Sequence, residues 1–161
     1  MAPINSILRR QAVCIVESRV RSRVSLFKKI AAVVESAYTG NGDGEPLASA
    51  EEIVAALEWR ARKFPIGMGQ GVLLPAGRLD RLPRIICAFL LLKRPANITV
   101  PDHKPVDLVF TTLSPGERQR QDLRIIARMA HILSRTDIRN RLRQAEGTED
   151  IYDIFREAFH H

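Results

Sequence analysis

The sequence predicts a single domain of mixed α/β class. Short strand-like apolar runs alternate with helical periods over the first two thirds of the chain, and helical periodicity gathers toward the C-terminus. One apolar run, residues 85–92, is continuous enough for a central strand covered on both faces. At 161 residues and 45% hydrophobic content, the chain can bury roughly 68–70% of the surface its unfolded form exposes, which suffices for one core.

Residues 12–17, Ala-Val-Cys-Ile-Val-Glu, read as a strand, and residues 24–37 place Phe27, Ile30, Ala31 and Val34 on one helical stripe. Residues 40–46 are dense in glycine, asparagine and proline and form a loop. Ser49 followed by Glu52 is a capping-box pattern, and Ile53, Leu57 and Arg60 share one face of the helix it opens. An arginine on an apolar stripe calls for a partner. Strand signals return at 72–74, 85–92 and 106–112. A helical period then runs through Leu123, Ile126, Met129, Ala130 and Leu133. Thr136 and Thr148 are expected to cap two short closing helices, with Asp137, Glu149 and Asp150 complementing the helix dipoles.

The longest apolar run is far short of the roughly 20 residues a membrane-spanning helix requires, and residues 1–10 lack a signal-peptide pattern, so a cytoplasmic protein with no membrane insertion is expected. Cys14 and Cys87 lie in apolar runs and read as buried structural cysteines. With no CxxC and no clustered histidines, neither a metal nor any other cofactor is expected. A net charge of +7 points to an acidic partner without choosing among nucleic acid, membrane surface and protein. Arg120, Arg124 and Arg128 at four-residue spacing, with Arg135, Arg139, Arg141 and Arg143 beyond, most simply form solvated helix faces. Aromatic content of 6% offers few stacking platforms, which makes a nucleic-acid-binding module the weaker alternative.

The segment Leu74-Pro75-Ala76-Gly77-Arg78 is the most informative in the chain, because an alanine stands where its surroundings lead one to expect a nucleophile. Upstream, Gly67, Gly69 and Gly71 alternate with Met68 and Gln70. This is no dinucleotide fingerprint, since it follows a helix and enters a strand. Glycines so spaced let backbone pass close to a ligand or to another strand.

Ala56-Leu57-Glu58-Trp59-Arg60, residues 67–78 and Lys104-Pro105-Val106-Asp107-Leu108-Val109-Phe110 together resemble the fructose/mannitol-type (type-2) EIIA domain of the bacterial phosphotransferase system. The tail, Leu142-Arg143-Gln144-Ala145-Glu146 and Glu149-Asp150-Ile151-Tyr152, is similar to the nitrogen-regulatory branch of that family. The resemblance implies a mixed β-sheet sandwiched between helices, with residues 5–156 as one domain and 1–4 and 157–161 as tails. In the family the motif runs Gly-x-Gly-Asn-Gly-x-x-Ile-Pro-His-Gly-Lys/Arg, and the histidine accepts a phosphoryl group from a small HPr-like phosphocarrier protein. Ala76 occupies that place here. Gln70 stands for the asparagine, Phe64-Pro65-Ile66 for the family's Gly-Ser-Thr, and Asp122 falls where many members carry a second histidine. So many departures together favour natural degeneration over an engineered substitution.

Arg60 and Arg78 match the family's arginines beside the phosphorylated histidine, and Gly67, Gly69, Gly71, Pro75 and Gly77 keep the loop's pattern. With Gln70, they are the candidates for holding an anion or a partner's carboxylate. The implied protein is a non-enzymatic, phosphorylation-incompetent regulator that binds target proteins: a transporter, a sensor kinase or a stress-response enzyme, with the phosphocarrier as a partner that binds without transfer. The alternative is an active phosphocarrier, which requires either that Ala76 be an engineered replacement or that another residue accept the phosphoryl group. Neither His131, among Arg124, Arg128 and Arg135 on a polar helix face, nor His103, in a polar turn, occupies a prepared nucleophile site.

Overall fold

Two long strands carry the core of the computed structural model, which describes residues 3–39, 44–98, 100, 102–116 and 119–160. β5 (Ile86–Ala96) and β6 (Val106–Ser114) pair antiparallel, with Phe89 opposite Phe110. Residues 86–92 are buried without interruption, as an interior strand covered on both faces requires. β1 (Leu8–Val16) adds to β5 in parallel. On the far flank of β6 lie two short parallel strands, β3 (Val72–Leu73) and β4 (Ala76–Arg78), separated by Leu74 and Pro75. β2 (Gly67–Gly69) closes the sheet as the antiparallel partner of β3. The sheet is mixed and runs β1-β5-β6-β3-β2, with β4 beside β3 on β6.

Helices flank it. α1 (Arg23–Ala37) and α2 (Ala50–Lys63) pack on each other and reach β1, β5 and β4. α3 (Gln119–Leu133), α4 (Thr136–Arg143) and α5 (Thr148–Phe159) pack together against β6 and β1. Phe155 of α5 meets Phe89 and Phe110 edge-on, with ring centroids at 4.8 and 5.7 Å. Tyr38, just past α1, donates its hydroxyl proton to the Cys87 carbonyl at 2.6 Å and accepts from the Arg9 N–H at 3.0 Å, tying α1 to both β1 and β5.

Much of this follows the sequence. α1 covers the expected span with its apolar stripe buried, and the Ser49–Glu52 capping box is formed reciprocally. The mixed sheet flanked by helices is the expected fold class. Five expectations need correction, the first being Arg139, expected on a solvated helix face but buried and donating to the Leu133 and Ser134 carbonyls at 3.1 and 2.8 Å. β1 begins at Leu8 rather than residue 12, because Arg9, Arg10 and Gln11 lie on an edge strand where polar side chains are tolerated. The buried stripe of α3 runs through Asp122, Ile125, Met129, Ile132 and Leu133, leaving Leu123 55% exposed and Ile126 and Ala130 half-buried. Thr136 and Thr148 are the first helical residues and not the caps; Arg135 and Gly147 hold the cap positions, and neither makes a side-chain capping bond. Only Ser134 and Arg135 separate α3 from α4, so Thr136 is already committed to the helix, and its hydroxyl accepts from Arg139 instead, at 3.2 Å. Cys14 is half-buried, whereas Cys87 is fully buried and its thiol is pushed up to about 12 by desolvation. Of the expected loop at 40–46, residues 40–43 lie outside the described residues.

The turn between β2 and β3 is a two-residue hairpin, Gln70–Gly71, with φ of 59° and 81°. Positive φ at both central positions is what a type I′ turn demands. A Cβ on Gly71 would stand 2.7 Å from the Arg143 guanidinium and 2.7 Å from the Asp107 carboxylate. Gly71→Ala is therefore expected to lower the unfolding free energy by about 3 kcal/mol, combining backbone strain with a displaced ion pair, as measured by urea denaturation. Gly147→Ala, where an added Cβ meets nothing within 4 Å, should change it by less than about 1 kcal/mol.

The same turn carries a pH signature. The Asp102 carboxylate accepts from the Lys104 N–H at 3.1 Å and the Gln70 N–H at 3.0 Å, and these bonds hold it below its ordinary range. Because the folded value is depressed, its stabilisation of the turn is complete above the ordinary carboxylate value of about 3.9 and is lost as pH falls through the folded value. Amide exchange followed by NMR should show Gln70 losing protection in that window before β5 does. Asp102→Asn should remove the pH dependence.

Candidate functional site

α2 lines a groove with Ala56, Trp59, Arg60 and Lys63, the i, i+3, i+4, i+7 spacing of a helical stripe whose first member packs on β4 and whose later members turn outward. Its inner positions, Ile53 and Leu57, are buried. The helix lies directly on β4, where a Cβ on Gly77 would come within 3.0 Å of the Ala56 Cβ and 3.2 Å of the Ala56 carbonyl carbon. Only glycine at 77 permits this contact without displacing the helix.

Beside that contact, Ala76 is 6% exposed. It lines a pocket of about 160 Å³ together with Arg60, Phe64, Pro65, Ile66, Gly67, Met68, Leu74 and Ile126. None of these side chains carries a hydroxyl, thiol, imidazole or carboxylate. Arg60 and Phe64 also line a larger groove of about 620 Å³, whose other walls are Ala56, Trp59, Lys63, Arg78 and Leu123. The Arg60 guanidinium carbon lies 5.2 Å from the Phe64 ring centroid, and the Lys63 ammonium 4.6 Å from that of Trp59. The partner that Arg60 needed is thus an aromatic face.

The structure brings together Arg60, Gly67 and Ala76 at the smaller pocket, and Arg60 with Arg78 at the larger groove. Pro75 and Gly77 are buried supports; the Pro75 carbonyl accepts from the Thr112 N–H at 3.1 Å, which fixes where β4 begins along β6. Gly69, Gln70 and Gly71 belong to the hairpin, and none of them lines either cavity. The Gln70 N–H is taken by Asp102, and its carbonyl accepts from Arg143 at 2.6 Å. Asp122 is 2% exposed; Oδ2 accepts from Ser114 at 2.8 Å, and Oδ1 has no hydrogen-bond partner among the described residues. Its neighbour Leu123 reaches the groove in its place. His131 and His103 are exposed, away from both cavities.

Sequence reasoning missed Trp59, Lys63, Phe64 and Leu123 as site residues. The first two had a readable signal, since they share a helical stripe with Arg60. Phe64 was visible only as a departure from the family's Gly-Ser-Thr, and Leu123 had no signal, because its exposure depends on how α3 is rotated against the sheet.

Among the described residues, no helix is long and apolar enough to cross a membrane, and no group of three or more potential metal-ligating side chains occurs. Residues 6–158 match the family model described as "Phosphoenolpyruvate-dependent sugar phosphotransferase system, EIIA 2". The nitrogen regulatory protein of Pseudomonas aeruginosa is 34% identical over 109 residues, covering 68% of this chain and 71% of that protein. That of Bradyrhizobium diazoefficiens is 37% identical over 87 residues, so the match spans only 57% of the relative's length and 54% of this chain. The crystal structure of nitrogen regulatory protein IIA-Ntr from Neisseria meningitidis superposes with a TM-score of 0.82 at 26% identity, covering 94% of this chain and 97% of that one. The IIA mannitol structure from Escherichia coli, with a TM-score of 0.69 at 13% identity over 91% of this chain and 96% of that one, shares the fold. A motif-bearing loop on β4, a mixed sheet between helical layers and these likenesses agree: the chain belongs to the EIIA type-2 family of the phosphoenolpyruvate-dependent sugar phosphotransferase system.

Proposed function

We propose that this chain is a nitrogen-regulatory member of the family that takes up no phosphoryl group and acts by binding target proteins in one fixed state, as a cytoplasmic unit spanning residues 5–156. The observation that carries this reading is Ala76, a methyl group at the family's acceptor position, walled by side chains with no nucleophile. In phosphoryl transfer to histidine, an imidazole nitrogen lone pair forms the new N–P bond while the donor's N–P bond breaks. A methyl group has no lone pair to offer. Arg60 remains beside the position, so the surroundings keep a positive charge where the chemistry has gone.

The active-phosphocarrier alternative needs another acceptor. Asp122 is buried against Ser114, and His131 is on an exposed helix face that lines neither cavity. Neither side chain shares a cavity with Arg60.

The test is the intact mass of the protein after incubation with phosphoenolpyruvate, Enzyme I and the phosphocarrier of the same organism, beside a histidine-bearing family member as positive control. The expected result is an unmodified chain while the control gains one phosphoryl group. A phosphoryl group on this chain overturns the proposal.

A further inference from the structure

Four large hydrophobic side chains among the described residues are exposed: Val24, Trp59, Phe64 and Leu123. Three of them, at 58%, 54% and 55% exposure in that order from Trp59, line the one groove between α2, β4 and α3. Isolated exposed apolar residues are ordinary, but three converging on a concavity mark an interaction surface. Arg60, Lys63 and Arg78 line the same groove, and no described lining residue is acidic. The acids adjacent in sequence are directed elsewhere: Glu58 pairs with Arg23 at 3.4 Å, and Asp122 is buried on Ser114. Beside the groove, and sharing Arg60 and Phe64 with it, lies the pocket of about 160 Å³ over Ala76. Apolar cavities of about 150 Å³ admit a benzene-sized group. The small methyl group of Ala76 in its wall leaves that space open to an apolar guest.

We propose that this groove receives an acidic amphipathic helix of a partner protein, one leucine or phenylalanine entering the pocket over Ala76 while flanking carboxylates meet Arg60, Lys63 and Arg78. The proposal rests on the reading of the site as a docking face and names the chemistry of its partner. Charge complementarity selects the occupant: a basic or neutral helix would bring no counter-charge to Arg60 and Lys63, which stand over aromatic faces in the groove. The outward positions of α2, Trp59, Arg60 and Lys63, present the ridge against which a second helix packs. The cation–π contacts of Arg60 and Lys63 hold their charges over the floor in advance, which reduces the ordering that binding demands.

The test selects binders from a displayed library of random peptides about 16 residues long, about four helical turns. Expected winners carry leucine or phenylalanine with aspartate or glutamate at helical spacing. They should shift the emission of Trp59, the chain's single tryptophan. They should also bind at least ~10-fold more weakly to Leu123→Asp and to Lys63→Glu, and equally well to Val24→Asp, a control outside the groove. Thermal melts establish that each variant is folded. Basic or uncharged winners, winners indifferent to both groove substitutions, or no enrichment at all overturn the proposal. Phosphoryl uptake by the unaltered chain would overturn the proposed function but leave this result standing, so the two failures are distinguishable.

Discussion

The absence of a side chain at Gly71 aligns everything on the functional flank of the sheet. Its carbonyl accepts from the N–H groups of Asp107 and Leu108, both at 3.0 Å, which sets β3 in register on β6. In the space a Cβ would fill, Arg143 of α4 makes a bidentate pair with Asp107, at 2.8 and 2.9 Å, and reaches the Gln70 carbonyl. One arginine thereby joins the last turn of α4, the start of β6 and the hairpin tip. With β3 fixed, the Pro75 carbonyl accepts from the Thr112 N–H and Ala76 falls opposite Thr112, the chain leaving β6 just long enough to break the flank into two short strands. Ala76 reaches the pocket floor because that break occurs where it does.

A second absent side chain, at Gly77, brings the other wall of the site into place. α2 rests against β4 backbone, so the outward stripe bearing Trp59, Arg60 and Lys63 stands immediately beside Ala76 and Arg78. The scaffold therefore holds Arg60, Lys63 and Arg78 around the apolar lining beside Ala76. On the proposed reading, an alanine at the acceptor position removes the chemistry and leaves the architecture. The site is concave, largely apolar and rimmed by positive charge, a combination suited to binding.

The parts of this arrangement that could be read from sequence are those fixed by local chemistry. The Ser49–Glu52 box depends on four consecutive residues, and the central position of 86–92 on an unbroken apolar run. The motif around Ala76 was readable for the same reason, being one contiguous segment. What escaped depends on packing at a distance. Leu123 and Ile126 satisfy the helical period as well as the truly buried set does, and no sequence rule would place Asp122 inward ahead of a leucine; Ser114, eight residues earlier on β6, makes that possible by donating to its carboxylate. Arg9 and Arg10 concealed the start of β1 because an edge strand tolerates charge. Gln70, Gly69 and Gly71 looked like binding residues, and the structure commits them to the hairpin held by Asp102 and Arg143.

On the proposed reading, the site keeps its geometry around Arg60, Pro75, Gly77 and Arg78 and lacks the reactive atom at position 76. Restoring that atom tests it most directly: the intact mass of Ala76→His after exposure to phosphoenolpyruvate, Enzyme I and the phosphocarrier. One added phosphoryl group, labile to acid as a phosphohistidine is, is the result this account predicts. A folded Ala76→His chain that stays unmodified would contradict it, showing that Phe64, Gln70 and Asp122 had dismantled the site along with its nucleophile.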